Sequence, residues 1–162
     1  SFQDLINVTK LSNLIKQEKQ EILFKDLDSL YNYDNSELGF GINLDKTIFS
    51  QDKDKSFQLQ DKDNLILVFM GKYINLNVNI ALLVNKDINN CKINNASEIV
   101  IDDNIFLCSK ILIDNQKKEQ TIRCTITKEN LCFNIEYIIS STNENLNNLK
   151  IEDILLKNIY FN

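Results

Sequence analysis

The sequence INLNVNIAL, residues 74–82, decides the fold class of this chain. Apolar side chains occupy every second position, and Asn or Ala fills the positions between them. A strand places successive side chains on opposite faces of a sheet, whereas a helix would scatter these apolar residues around its circumference. The stretch therefore predicts a strand with one buried face.

The same period of two recurs along most of the chain. Residues 131–139 alternate strictly, and residues 65–70 are apolar at every position, as in a central strand. Consecutive strands of this kind, joined by polar loops, are typical of an antiparallel sandwich or barrel, and the wide loops favour a sandwich. Besides the stretch quoted above, we expect strands at residues 38–44, 57–59, 65–70, 98–101, 105–113, 122–126 and 131–139.

The N-terminal part follows a different pattern. Residues 2–18 carry apolar side chains at three- and four-residue spacing, which predicts an amphipathic helix. We therefore expect residues 1–20 to form an N-terminal helix or the end of a hinge, and residues 21–162 to form one β-sandwich domain. The tail, residues 149–161, fits either a helix or a last strand.

Polar clusters mark the expected turns. Residues 32–36 combine Asn, Asp and Ser, which are frequent turn residues, and the Gly71-Lys72 pair predicts a turn or a bulge. Asp102 and Asp103 lie between two expected strands, so we interpret them as a turn and not as a pair of catalytic carboxylates.

The composition excludes several kinds of chemistry. The chain of 162 residues contains no His, which excludes a Ser-His-Asp triad, a Cys-His dyad and an imidazole metal ligand. Its three glycines are scattered, so the sequence holds no Gly-rich phosphate-binding loop. We expect a protein that is not an enzyme and that needs no cofactor and no metal.

The charge pattern argues against nucleic acid as a partner. The formal net charge is −5, and lysines are interleaved with acids, as in residues 52–55 and 61–63. A nucleic-acid binder usually clusters its cations to neutralise phosphates. Five aromatic residues lie in phase with the expected strands, and we assign them to the core and not to base stacking: Phe40, Phe69, Phe106, Phe133 and Tyr137.

The four cysteines carry no metal-binding spacing. Cys108, Cys124 and Cys132 lie within apolar alternating runs, and Cys91 lies in a polar stretch. We expect reduced thiols in the core of a cytosolic protein. Disulfide bonds are the alternative, and the sequence does not fix their pairing.

Two features bear on cellular location. The sequence holds two glycosylation sequons, at Asn7 and Asn95, which 24 Asn residues would produce by chance. The first residues do not resemble a signal peptide, and no apolar run reaches the length of a membrane span. A cytoplasmic location is the expectation.

Four stretches of the chain resemble a known family. Residues 38–42 resemble its first strand, and residues 67–72 resemble its turn into a second strand. Residues 122–137 resemble its strand pair, and residues 149–161 resemble the strand that leaves its sandwich. The family is the appendage (ear) domain of the large subunits of clathrin adaptor complexes, closest to the α-adaptin type.

This resemblance implies a fold and a function. The fold would be an immunoglobulin-like antiparallel β-sandwich, and the chain would be a peptide-recruiting module of a vesicle coat, at coated vesicles or the membrane periphery. Its partners would be short linear motifs of accessory proteins, and other coat subunits through a parent chain, with only indirect membrane association. Candidate peptide-binding residues are Lys72, Lys86 and Arg123.

One departure from the family weakens the expectation of an acidic peptide. Strand positions where related ears carry basic side chains hold Cys132, Asn134 and Glu136 here. Two other functions stay open, an oligonucleotide-binding barrel of a telomere or replication complex and a chaperone or scaffold subunit that associates through the N-terminal helix.

Overall fold

Antiparallel strands account for most of the chain that the computed structural model describes, which comprises residues 20–22, 24–47, 49–51, 56–73, 76–114, 119–140 and 156–162. The N-terminal helix expected over residues 2–18 lies outside these residues. In chain order the strands are β1 (Lys25–Asp26), β2 (Leu30–Asn35), β3 (Phe40–Asp45), β4 (Phe49–Gln51), β5 (Phe57–Gln60), β6 (Asn64–Tyr73), β7 (Leu76–Asn85), β8 (Ser97–Ile101), β9 (Asn104–Asp114), β10 (Glu119–Lys128), β11 (Leu131–Ser140) and β12 (Ile159–Phe161). A short 3-10 helix, η1 (Ile88–Cys91), lies between β7 and β8.

The strands form two antiparallel sheets. The smaller sheet has the order β1-β2-β3-β12. The larger sheet has the order β4-β6-β7-β11-β10-β9-β8, and β5 pairs with β6 beside β4. Strands β8 to β11 form a meander that returns to β7, so β7 and β8 are consecutive in sequence but lie on opposite sides of three other strands.

The apolar faces of the two sheets pack against each other and form the main core. The rings of Phe40 in β3 and Phe133 in β11 meet with their centroids 5.2 Å apart at an interplanar angle of 74°, which joins the two sheets directly. An edge-to-face pair of this kind contributes about 1 kcal/mol beyond the burial of its area. The five aromatic residues assigned to the core are each 0 or 1% exposed, which confirms that assignment. This arrangement is consistent with a β-sandwich.

A second apolar cluster covers part of the outer face of the larger sheet. Phe57 and Leu59 of β5 pack there against alternate residues of β6, β7 and β11. Strand β6 is therefore buried on both faces, as its continuous apolar run predicts. The buried members are Phe57, Leu59, Ile66, Val68, Ala81, Leu83 and Ile138.

Two expected turns are wrong, because these residues pair with neighbouring strands. Residues 32–35 belong to β2, where the Asn32 amide nitrogen donates a hydrogen bond of 2.8 Å to the Asn43 amide oxygen on β3. Gly71 and Lys72 continue β6, since Gly71 is paired with Gln51 on one side and with β7 on the other. By contrast, Asp102 and Asp103 do form a turn.

The expectation of free cysteines is also wrong. Cys91 is bonded to Cys132, and Cys108 is bonded to Cys124, so no cysteine is free. The pairing follows from the strand register, because Cys108 and Cys124 lie directly opposite each other on β9 and β10, with their Cα atoms 4.1 Å apart. The other bond fastens the end of η1 to β11.

Within the described residues, no helix has the length and hydropathy needed to cross a lipid bilayer.

Candidate functional site

A groove of about 460 Å³ opens at one end of the two sheets. Three turns that are distant in sequence meet there: the turn from β2 to β3, the turn from β5 to β6, and the turn from β10 to β11. The end of β7 completes the wall. The groove therefore exists only because the two sheets are packed together.

The floor of this groove is apolar. Leu65 and Val84, neighbours on β6 and β7, are each 1% exposed and belong to the main core. Leu38 and Leu131 are half-buried, pack against that core and line the groove above them. An apolar floor with a polar rim is the usual composition of a binding site for an extended or small ligand.

Hydrogen bonds hold the polar rim in place. The Asp61 carboxylate accepts hydrogen bonds from the backbone N–H groups of Asp63 and Asn64, at 2.9 and 2.8 Å. Such a side-chain turn fixes the backbone between β5 and β6. Lys86 adds an exposed ion pair, in which its Nζ lies 3.4 Å from Oδ1 of Asp63.

The edge of β5 also borders the groove. Gln20 pairs with Gln58 through two backbone hydrogen bonds of 2.9 and 2.7 Å, so this edge already accepts one extended residue. Gln20 and Gln60 both line the groove. An extended peptide that entered the groove would therefore meet a sheet edge that pairs with extended backbone, with its Gln58 position already occupied by Gln20.

The three residues expected to bind a peptide lie in different places. Lys86 lines the groove. Lys72 is exposed near the other end of β6, eight residues and about 26 Å from Asn64 at the groove. Arg123 lies on β10, opposite Glu136 of β11. The structure does not bring the three side chains together.

Arg123 is bound within the domain. Its Nε donates to the amide oxygen of Asn134 at 3.1 Å, and its Nη2 donates to the backbone carbonyl of Asn90 at 2.5 Å. The second bond ties η1 to the sheet, alongside the hydrogen bond of 2.8 Å from the Thr125 hydroxyl to the Cys91 carbonyl. These contacts give the arginine a structural role.

Glu136 is a buried carboxylic acid beside this arginine. It is 1% exposed, and its Oε2 has no hydrogen-bond partner among the described residues. Burial raises the pKa of Glu136 to about 7, and the charge of Arg123 opposes this rise. The sequence pattern places Glu136 on the face of β11 that alternates with the apolar residues, as it would place an exposed glutamate. The one signal of burial is that apolar residues adjoin it on both sides in the sequence.

Within the described residues, no group of three or more potential ligands from His, Cys, Asp and Glu is placed to hold a metal ion. Comparisons with protein-family models, with curated proteins and with solved structures find no match to this chain.

Proposed function

We propose that this chain is a non-catalytic interaction module that binds a short, extended peptide of a partner protein in the groove beside Lys86. The observation that carries the proposal is the apolar lining of the groove, in which Leu38 and Leu131 are half-buried above the buried Leu65 and Val84. A peptide would place apolar side chains against this lining and would continue, beside Gln60, the pairing that Gln20 makes with Gln58 of β5.

Two features support a role in binding over one in catalysis. The chain has no His, and all four cysteines are held in disulfide bonds, so neither the usual base nor a thiolate nucleophile is at hand. The charged side chains of the groove lie at its rim, where charges contribute to the specificity and the rate of association of a partner.

The rim favours a peptide of mixed charge. Three carboxylates, those of Glu37, Asp61 and Asp63, face two lysines, Lys62 and Lys86. Asp61 is committed to the turn and Asp63 is paired with Lys86. A strongly acidic peptide would meet these carboxylates, so we propose a ligand with apolar anchors and at most one or two charges of each sign.

The adaptor-appendage function is the specific form of this proposal, and it is supported by the resemblance in four stretches of sequence. It includes an immunoglobulin-like topology. A long connection links β7 to β8 on the far side of three strands, and the meander β8 to β11 then returns to lie beside β7. This order is a variant of the Greek key common in sandwiches, and it supports the immunoglobulin-like topology. The larger sheet exceeds the usual immunoglobulin sheets in strand number. Both disulfide bonds argue against this specific form, because such bonds are rare in the cytosol, where a coat subunit would act. The broader interaction module does not depend on the coat assignment.

The test is a peptide-binding measurement on the oxidised protein. A library of short peptides is screened on the wild-type chain, and the best binder is titrated against K86E and against K72E. Both variants change the charge equally, but only Lys86 lines the groove. We expect K86E to weaken binding about three- to fivefold, because an exposed charge contributes about 0–1 kcal/mol, and K72E to leave it unchanged.

Equal effects of the two variants, or no binding by any peptide to a folded sample, would overturn the proposal. A parallel titration with single-stranded DNA tests the nucleic-acid alternative. Tight DNA binding that falls steeply with salt would favour that alternative instead.

A further inference from the structure

The turn before β8 exposes an acceptor sequence for N-linked glycans. Asn95 and Ser97 of the Asn95-Ala96-Ser97 sequon are both exposed, and Ser97 is the first residue of β8. Asn95 has a φ of 57°, a left-handed conformation that Asn adopts more readily than most residues. Glycan addition requires such a sequon on an accessible surface loop.

The disulfide bonds are an independent observation that points to the same compartment. Both pairs are formed, and one of them anchors Cys91, which lies in the same connection as Asn95. Stable disulfide bonds are typical of oxidising compartments and rare in the cytosol. In eukaryotic cells, N-linked glycans are attached in an oxidising compartment of this kind. A sequon alone carries little weight in this Asn-rich chain, and the disulfide bonds supply the separate reason to expect the compartment in which such a sequon is used.

We infer that Asn95 is an N-glycosylation site and that the chain matures in an oxidising, secretory compartment. The donor is a lipid-linked oligosaccharide diphosphate. The Asn95 Nδ2 forms a bond to C1 of the first sugar, the bond from C1 to the diphosphate oxygen breaks, and the lipid diphosphate leaves. The amide proton passes to a base of the transferase, and no oxidant or reductant is consumed. This inference concerns processing of the chain and goes beyond the groove and its peptide. It agrees with the broader peptide-binding module and excludes the cytosolic coat subunit.

The position of Asn95 gives the glycan a physical role. Strand β8 is an edge of the larger sheet. Two apolar side chains, Val100 on β8 and its cross-strand partner Ile105 on β9, are 63% and 51% exposed. An exposed apolar edge is prone to pair with other chains. A bulky, solubilising glycan two residues before β8 would hinder that pairing.

The test uses the full chain in two settings. The first is secretion from a eukaryotic cell behind a cleavable leader, with the Thr9→Ala change in every variant to remove the other sequon. The shift in gel mobility after N-glycosidase treatment is compared for the parent, N95Q, S97A and N94Q. Asn94 is the matched control, because it is an exposed asparagine in the same turn but not in a sequon. The second setting is the protein isolated from its own cells, digested with N-glycosidase and examined by mass spectrometry for conversion of Asn95 to Asp.

We expect a shift for the parent and for N94Q, no shift for N95Q and S97A, and conversion of Asn95 in the native protein. A parent without a shift, or a native protein with unmodified Asn95, would overturn the inference. Either result leaves the groove proposal standing, because peptide binding is measured separately on the unglycosylated chain.

Discussion

Glu136 and Arg123 lie directly opposite each other on β11 and β10, yet the arginine donates its hydrogen bonds to Asn134 and Asn90. The glutamate is left buried, and its pKa is raised to about 7. A buried acid whose pKa is raised favours the folded state only while it stays protonated.

The stability of the protein should therefore fall as the pH rises. The pKa of Glu136 is about 7 in the folded chain, against an ordinary value of 4.5. Between these two pH values the folded state binds more protons than the unfolded state, so the free energy of unfolding decreases, by up to about 3 kcal/mol. Urea unfolding measured from pH 4 to pH 8 checks this, and E136Q should show a flatter profile of unfolding free energy against pH.

The exposed Glu129 supplies the control variant E129Q, which should keep the slope of the wild type. An unchanged slope in E136Q would contradict the assignment.

The disulfide bond that closes the longer loop should stabilise the domain more, because the entropy lost by the unfolded chain grows with the logarithm of loop length. The Cys91–Cys132 bond spans 41 residues and the Cys108–Cys124 bond spans 16. Chain-entropy estimates give about 4 kcal/mol for the longer loop and about 3 kcal/mol for the shorter one. The paired variants C91S/C132S and C108S/C124S, compared by denaturant unfolding, check this order. Free thiols in the folded wild type, found by alkylation and mass spectrometry, would contradict the pairing itself.

Gly41 should not tolerate a side chain. An added Cβ would overlap the ring of Tyr160, which lies on β12 directly opposite Gly41 of β3. The Tyr160 hydroxyl accepts a hydrogen bond from the Asn32 side-chain amide and donates one to the Asp34 carboxylate. We expect G41A to displace this ring and to lower the free energy of unfolding by about 1–3 kcal/mol. The matched test is a double-mutant cycle, in which G41A costs much less in a Y160A background. Equal losses in both backgrounds would show that the ring is not the obstacle.

The floor of the groove should matter more to peptide affinity than the exposed lysine at its rim. Leu38 packs against the core and lines the groove, whereas Lys62 is exposed. We expect L38A to weaken the best peptide about tenfold and K62A to weaken it less than twofold, since contacts to exposed charges contribute about 0–1 kcal/mol. Isothermal titration of both variants measures the difference, and circular dichroism confirms that both remain folded. The reverse order would mean that the peptide is held by charge.

The sequence predicts the strands better than it predicts the site. Strands β6, β7 and β11 alternate or are fully apolar because each has at least one buried face, and that pattern survives in a single sequence. Strand β2 escaped prediction because Asn32 and its neighbours are turn formers in isolation, and only pairing with β3 holds them extended. Propensity is a weak guide wherever tertiary pairing decides.

The disulfide bonds and the groove depend on contacts between distant parts of the chain. Cys108 and Cys124 are bonded because β9 and β10 pair in one register, and a shift of one residue would point them to opposite faces. The groove joins turns near Leu38, Asp61 and Leu131, whose proximity no local pattern encodes. Of the three cations expected at a site, Lys86 alone lines the groove.

The pairing of β12 with β3 has a consequence for biosynthesis. Phe161 lies opposite Phe40, more than a hundred residues earlier in the chain. A nascent polypeptide cannot complete the smaller layer until this late segment has left the ribosome, and contacts so far apart in sequence form slowly. During that interval the edge of β3 that β12 will cover is unpaired, and an unpaired strand edge of this kind is prone to pair with other chains.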